Sequence, residues 1–75
     1  MKELVEFMAK SLVDNPDSVI VKEVEEEQST ILKLTVAPED MGKIIGKQGR
    51  IAKAIRTVIK AVAVKQNKRV IVEII

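Results

Sequence analysis

The sequence predicts an α+β fold: a three-stranded mixed sheet with three helices packed on one face, in the order α-β-β-α-α-β. Three observations lead there. Two β-branched segments follow an N-terminal amphipathic stretch, and a third such segment closes the chain. Between the second and third lies a long helical pattern broken by glycines, too long for a hairpin. A crossover of that kind returns the last strand parallel to the second, with the right-handed turn such connections favour. The chain has 75 residues, enough for one domain spanning 1–75 and a modest core.

Each element has its own signal. Residues 2–13 place Leu4, Met8 and Leu12 on one helical face, with Val5 alongside. Asp14-Asn15-Pro16-Asp17 ends that helix, because the residue before proline is pushed out of the helical region. Residues 19–25 read as a strand, 26–29 as its turn, and 30–36 as a second strand with Leu32, Leu34 and Val36 facing one way. Pro38 suits a first helical position, and Glu39 and Asp40 oppose the positive end of a helix dipole. That helix must be short, since Gly46 and Gly49 follow closely. A longer helix runs from 49 to 66, Asn67-Lys68 breaks it, and 69–75 forms a last strand with Val70, Val72 and Ile74 inward. Ile71, Ile75 and Ile31 then fall on the outer face of the sheet.

Composition removes several function classes. The sequence contains no cysteine and no histidine, so disulfides, thiolate metal sites and the commonest general base are absent. No cofactor, small-molecule substrate or enzymatic activity is expected. No apolar run is long enough to span a membrane, and Glu3 and Glu6 spoil any signal peptide, so the expected location is the cytoplasm. The net charge of +2 conceals a strong asymmetry. Residues 1–42 hold four lysines against ten acids, whereas 43–75 hold nine lysines and arginines against Glu73 alone. A field so concentrated suits a phosphate-bearing partner or, more blandly, a solvated basic helix.

The stretch Met41-Gly42-Lys43-Ile44-Ile45-Gly46-Lys47-Gln48-Gly49-Arg50-Ile51-Ala52-Lys53-Ala54-Ile55 carries the functional signal. Two glycines separated by Lys47 and Gln48 sit where one helix ends and another begins. Gly46 can act as the left-handed cap of the first. Free N–H groups at the start of the second attract anions, and missing Cβ atoms let a phosphate approach. A tight helix–helix turn would use the same glycines, so the motif alone leaves both readings open. It is not a P-loop, being one residue short and having Gln48 where a Ser or Thr should bind magnesium. Nor is it a dinucleotide fingerprint, which needs a third glycine and a strand directly before it.

With its flanking isoleucines and with Ala52-Lys53-Ala54-Ile55 at its end, this segment resembles the signature of KH domains. The element order matches the bacterial, type II form, and the resemblance covers essentially the whole chain. It is strongest to the small bacterial KH proteins of the KhpA family. The resemblance implies single-stranded RNA as the ligand and a role as RNA chaperone or post-transcriptional regulator. The implied RNA-binding residues are Gly46, Lys47, Gln48 and Gly49, with Lys43, Arg50 and Lys53 adding charge. One of Ile44 and Ile45 should line the groove beneath the bases and the other should enter the core.

On the long helix, Ile51, Ile55, Val58 and Val62 are expected to form the core stripe, with Lys53, Arg56 and Lys60 opposite. Ala52, Ile59 and Ala63 widen the apolar arc. Either the first helix covers them, or they and Arg56 form a helix-to-helix contact with a partner. The family resemblance implies self-association, a heterodimer with a larger RNA-binding protein of the KhpB/Jag type, or both. A rival reading makes the chain a protein-interaction adaptor whose glycine turn is vestigial.

Overall fold

The computed structural model describes residues 1–75. Helix α1 (Lys2–Leu12) is followed by a 3₁₀ turn at Pro16–Ser18, then by strands β1 (Ile20–Glu25) and β2 (Thr30–Thr35). A second 3₁₀ turn, Pro38–Asp40, leads into α2 (Met41–Ile45); α3 (Arg50–Lys65) and β3 (Val70–Ile74) complete the chain. The sheet order is β1-β2-β3. β1 and β2 are antiparallel with Val21 opposite Leu34, and β2 and β3 are parallel with Leu32 opposite Val72. This is the expected α+β arrangement of type II KH topology.

The β2 alternation behaves as its sequence requires: Leu32 and Leu34 are completely buried while Thr35 faces solvent. The first helix seats differently from its periodicity. Val5 and Ala9 are fully buried, Leu4 and Met8 are half-buried, and Leu12 is exposed. Small side chains let the helix axis approach the sheet closely, so the larger ones splay to either side.

The same effect corrects the phase of α3. Its buried line is Ala52, Ile55, Ile59 and Ala63, whereas Val58 is exposed and Ile51 and Val62 are half-buried. Ala52, Ile59 and Ala63 therefore belong to the chain's own interior and do not form an open partner face. The apolar arc of this helix is wide enough for several seatings. The two alanines select one, because they admit the closest approach to the sheet.

The last turn of α3 closes with Asn67 in the left-handed region at φ 57°. The Lys68 N–H donates to the Ala63 carbonyl at 2.8 Å and the Asn67 N–H to Val64 at 3.0 Å, satisfying the final carbonyls before β3 begins. On the outer sheet face, Val24, Ile31 and Ile71 form a row across all three strands, with Ile75 exposed at its end.

Candidate nucleic-acid interface

The glycine turn is built on backbone angles that few residues accept. α2 ends when the Gly46 N–H donates to the Gly42 carbonyl at 2.8 Å. Gly46 then adopts φ 75°, ψ 176°, outside the left-handed cap geometry expected of it and in a region essentially confined to glycine. Space imposes the same demand, because a Cβ here would lie 2.6 Å from Cγ1 of Ile51. Gln48 and Gly49 follow at φ 57° and 74°. The Gly49 N–H donates back to the Gly46 carbonyl at 3.2 Å, closing the turn.

That closure leaves two donors open. The amides of Lys47 and Gln48 donate to no carbonyl of the chain, and both residues are exposed. Immediately behind them α3 starts without a capping side chain and without an acid in its first turn. The positive end of a 16-residue helix is thus unneutralised beside two free N–H groups and the Lys47 ammonium. Arg50 projects from the same place, its guanidinium 3.4 Å from Oε1 of Gln48. An anion with several acceptor oxygens, such as a phosphodiester, fits this arrangement.

The opposite end of α2 is held by a group that sequence reasoning misjudged. Asp40 is not a solvent-facing first-turn acid; its side chain is fully buried. Its carboxylate accepts the Asp14 N–H at 3.2 Å and the Asn15 N–H at 3.0 Å, tying the segment after α1 to the start of α2. Lys43, one turn on, lies 3.6 Å from Asp40 and 3.0 Å from Asp14. Burial works to raise the Asp40 pKa, but the two amide donors and Lys43 outweigh it and hold the carboxyl below its ordinary value. The Asp14 carboxylate, aided by Asp40, holds the Lys43 ammonium above its ordinary pKa despite some desolvation. Lys43, expected from the sequence among the RNA-contacting cations, thus has its ammonium turned toward two carboxylates.

Of the two isoleucines before the loop, Ile44 is completely buried in the core and Ile45 is half-exposed, so only Ile45 is available to a ligand. Along α3, Lys53, Arg56 and Lys60 share one flank of the helix, while Arg50 sits at the edge of the other. This basic line ends at a groove of about 380 Å³ between α3 and the open edge of β3, bordered by Arg56, Lys60, Lys68 and Arg69 over Val70 and Val72. The Arg56 Nε–H reaches the Val72 carbonyl at 3.4 Å, placing its guanidinium across the groove. Lys68 and Arg69 escaped sequence reasoning because they flank a turn; only the strand pairing brings them beside α3. The opposite flank of α3 is apolar, forming with α1 a shallow groove of about 420 Å³ lined by Phe7, Leu12, Ile51, Ala54 and Val58. No cluster of acidic residues in the chain has the arrangement needed to hold a metal ion, and no helix is long and apolar enough to cross a membrane.

Comparison with known proteins agrees with this fold. The family model described as the KhpA/KhpB KH domain matches residues 2–74. The chain is similar to the RNA-binding protein KhpA of Clostridium acetobutylicum, 77% identical over 75 residues and covering 100% of both chains. Similarity to the protein of the same name from Aquifex aeolicus is 51% over 75 residues, covering 100% of this chain and 95% of that one. Among solved structures, a variant of Aquifex aeolicus Era in complex with GDP and aluminium fluoride aligns with a TM-score of 0.61 and 24% identity. That match covers 96% of this chain but 28% of the Era chain, and it supports the fold alone.

Proposed function

This chain belongs to the KhpA/KhpB family of KH domains, and from that premise we propose that it is a non-enzymatic protein that binds single-stranded RNA. The observation that carries the reading is the pair of open amides at Lys47 and Gln48, set at the uncapped positive end of α3. A phosphate received there continues toward Lys53, Arg56 and Lys60, and the next nucleotides reach the groove beside β3. Ile45 and the aliphatic floor of that groove face the bases. The chain has one aromatic residue, Phe7, on the far flank of α3, so recognition here does not use stacked rings. Bacterial relatives carry the name RNA-binding protein, which accords with this ligand. We assign it a cytoplasmic role as RNA chaperone or post-transcriptional regulator, a reading supported by its resemblance to bacterial KH proteins.

The test replaces Lys47 and Gln48 together with Asp. Both side chains project from an exposed turn, so the fold should persist while binding of an unstructured RNA oligonucleotide, followed by fluorescence anisotropy, is lost. Retained affinity would show that the loop is not the site. Lys47→Ala alone should reduce the slope of log affinity against log salt by about 0.7, the loss of one phosphate contact on a single strand.

A second reading, association through protein contacts, is favoured by the apolar flank of α3. Phe7 is 69% exposed and Val58 42%, large values for such side chains in a small chain. This flank, and not Ala52, Ile59 and Ala63, is the surface for self-association or for a larger partner of the KhpB/Jag type. Sedimentation equilibrium of the chain alone should give a mass above that of the monomer, reduced to the monomer by Val58→Glu.

A further inference from the structure

The two ends of α2 are joined by only five residues, too few to hold a helical conformation unaided. Whatever fixes the first turn of α2 therefore also fixes where its last turn delivers Gly46. Ile44, fully buried, and Met41, packed against the same core, hold one side of the helix. The anchor on its other side is polar. Asp40 accepts two amides from the Asp14-Asn15 segment, and Lys43 closes the triangle with Asp14 from the outer side. All three groups lie outside the RNA-contacting surface described above.

We propose that Asp40, with Lys43 and Asp14, is a positioning device for the Gly46–Gly49 clamp, setting RNA affinity without touching RNA. The idea rests on the RNA-binding reading but makes a prediction that simple electrostatics reverses. Asp40→Asn deletes a negative charge and leaves Lys43 with Asp14 as its one carboxylate partner. If only charge mattered, the variant would bind RNA more tightly, since the protein would carry one negative charge fewer and a less firmly held ammonium. A positioning role requires weaker binding with the slope unchanged, because the same contacts are made from a loop that must first be ordered.

The experiment measures anisotropy of a fluorescein-labelled, unstructured RNA oligonucleotide over a salt series. It compares the parent, Asp40→Asn, Lys43→Gln and Lys43→Arg, at a temperature where each is folded by circular dichroism. Asp40→Asn and Lys43→Gln should bind about tenfold more weakly at unchanged slope, the order expected when one or two further loop side chains must be ordered on binding. Lys43→Arg, which keeps the ion pairs, should recover most of that loss. Tighter binding by Asp40→Asn, or a slope reduced in Lys43→Gln, would overturn the proposal and return Lys43 to the RNA surface. Amide spectra of the free proteins supply an independent readout, with or without RNA binding. The Lys47, Gln48 and Gly49 resonances should shift or broaden in Asp40→Asn and Lys43→Gln while those of β3 stay in place. Unchanged loop resonances in a folded variant would also refute it. Failure of the parent to bind RNA would instead count against the RNA reading, leaving the spectra to judge the positioning device. If Asp40→Asn does not fold, Lys43→Gln alone decides, since its side chain is 45% exposed.

Discussion

The two ends of α2 are opposites. At its start the buried carboxylate of Asp40 is satisfied, with two amide donors and an ammonium beside it. At its end the Lys47 and Gln48 amides face solvent with no protein acceptor, and the following helix begins uncapped. The difference teaches what it takes to keep backbone donors open in a chain this small. Unsatisfied donors can be kept open toward a ligand only where the neighbouring backbone is fixed by groups that are fully satisfied.

Two changes put that contrast under strain. The larger effect should come from the open end. Gly46→Ala forces a side chain into a glycine-only conformation and against Ile51. The backbone strain alone is worth about 1–3 kcal/mol. Urea unfolding should show that loss, and RNA affinity should fall further than stability does, because the strain sits inside the clamp. A variant with unaltered affinity would mean the turn tolerates another conformation and is not the pre-organised element.

The smaller effect belongs to the closed end and depends on pH. The Asp40 pKa is below 3.8 in the folded chain, so its contribution is present above 3.8 and disappears as pH falls through the folded value. The stability gap between the parent and Asp40→Asn should thus be widest near neutral pH and close in acid. Lys43 has the opposite sense: its raised pKa contributes below 10.5 and is lost only in strong alkali. Denaturant unfolding across the acid range checks the first statement. A gap that stays constant with pH would show that Asp40 contributes through shape and not through its charge.

Much of this molecule was legible before any coordinates. The alternation in β2, the proline turns and the spacing of Gly46 and Gly49 gave the element order and the location of the turn between α2 and α3. These signals are local, since each depends on residues a few positions apart. The phase of α3 was not legible. Its apolar arc is too broad to specify one buried line, and periodicity favoured the large residues Ile51 and Val58 over the alanines on which the helix actually seats. The role of Asp40 was equally hidden, because its partners lie 25 and 26 residues earlier in the chain. An acid after a proline looks like any first-turn acid until α1 folds back over it.

The sequence by itself therefore determined the topology, the glycine turn and the concentration of positive charge after residue 42. Those follow from backbone sterics, hydrophobic period and composition, none of which needs a distant partner. Only the tertiary structure decided which cations are free. It neutralised Lys43 against Asp14 and Asp40, left Lys47 and the Arg56–Lys60 flank unpaired, and carried Lys68 and Arg69 to the same groove. The reason is that whether a charge is available depends on what lies within a few ångströms of it, and in a fold with a crossover those neighbours come from the far end of the chain.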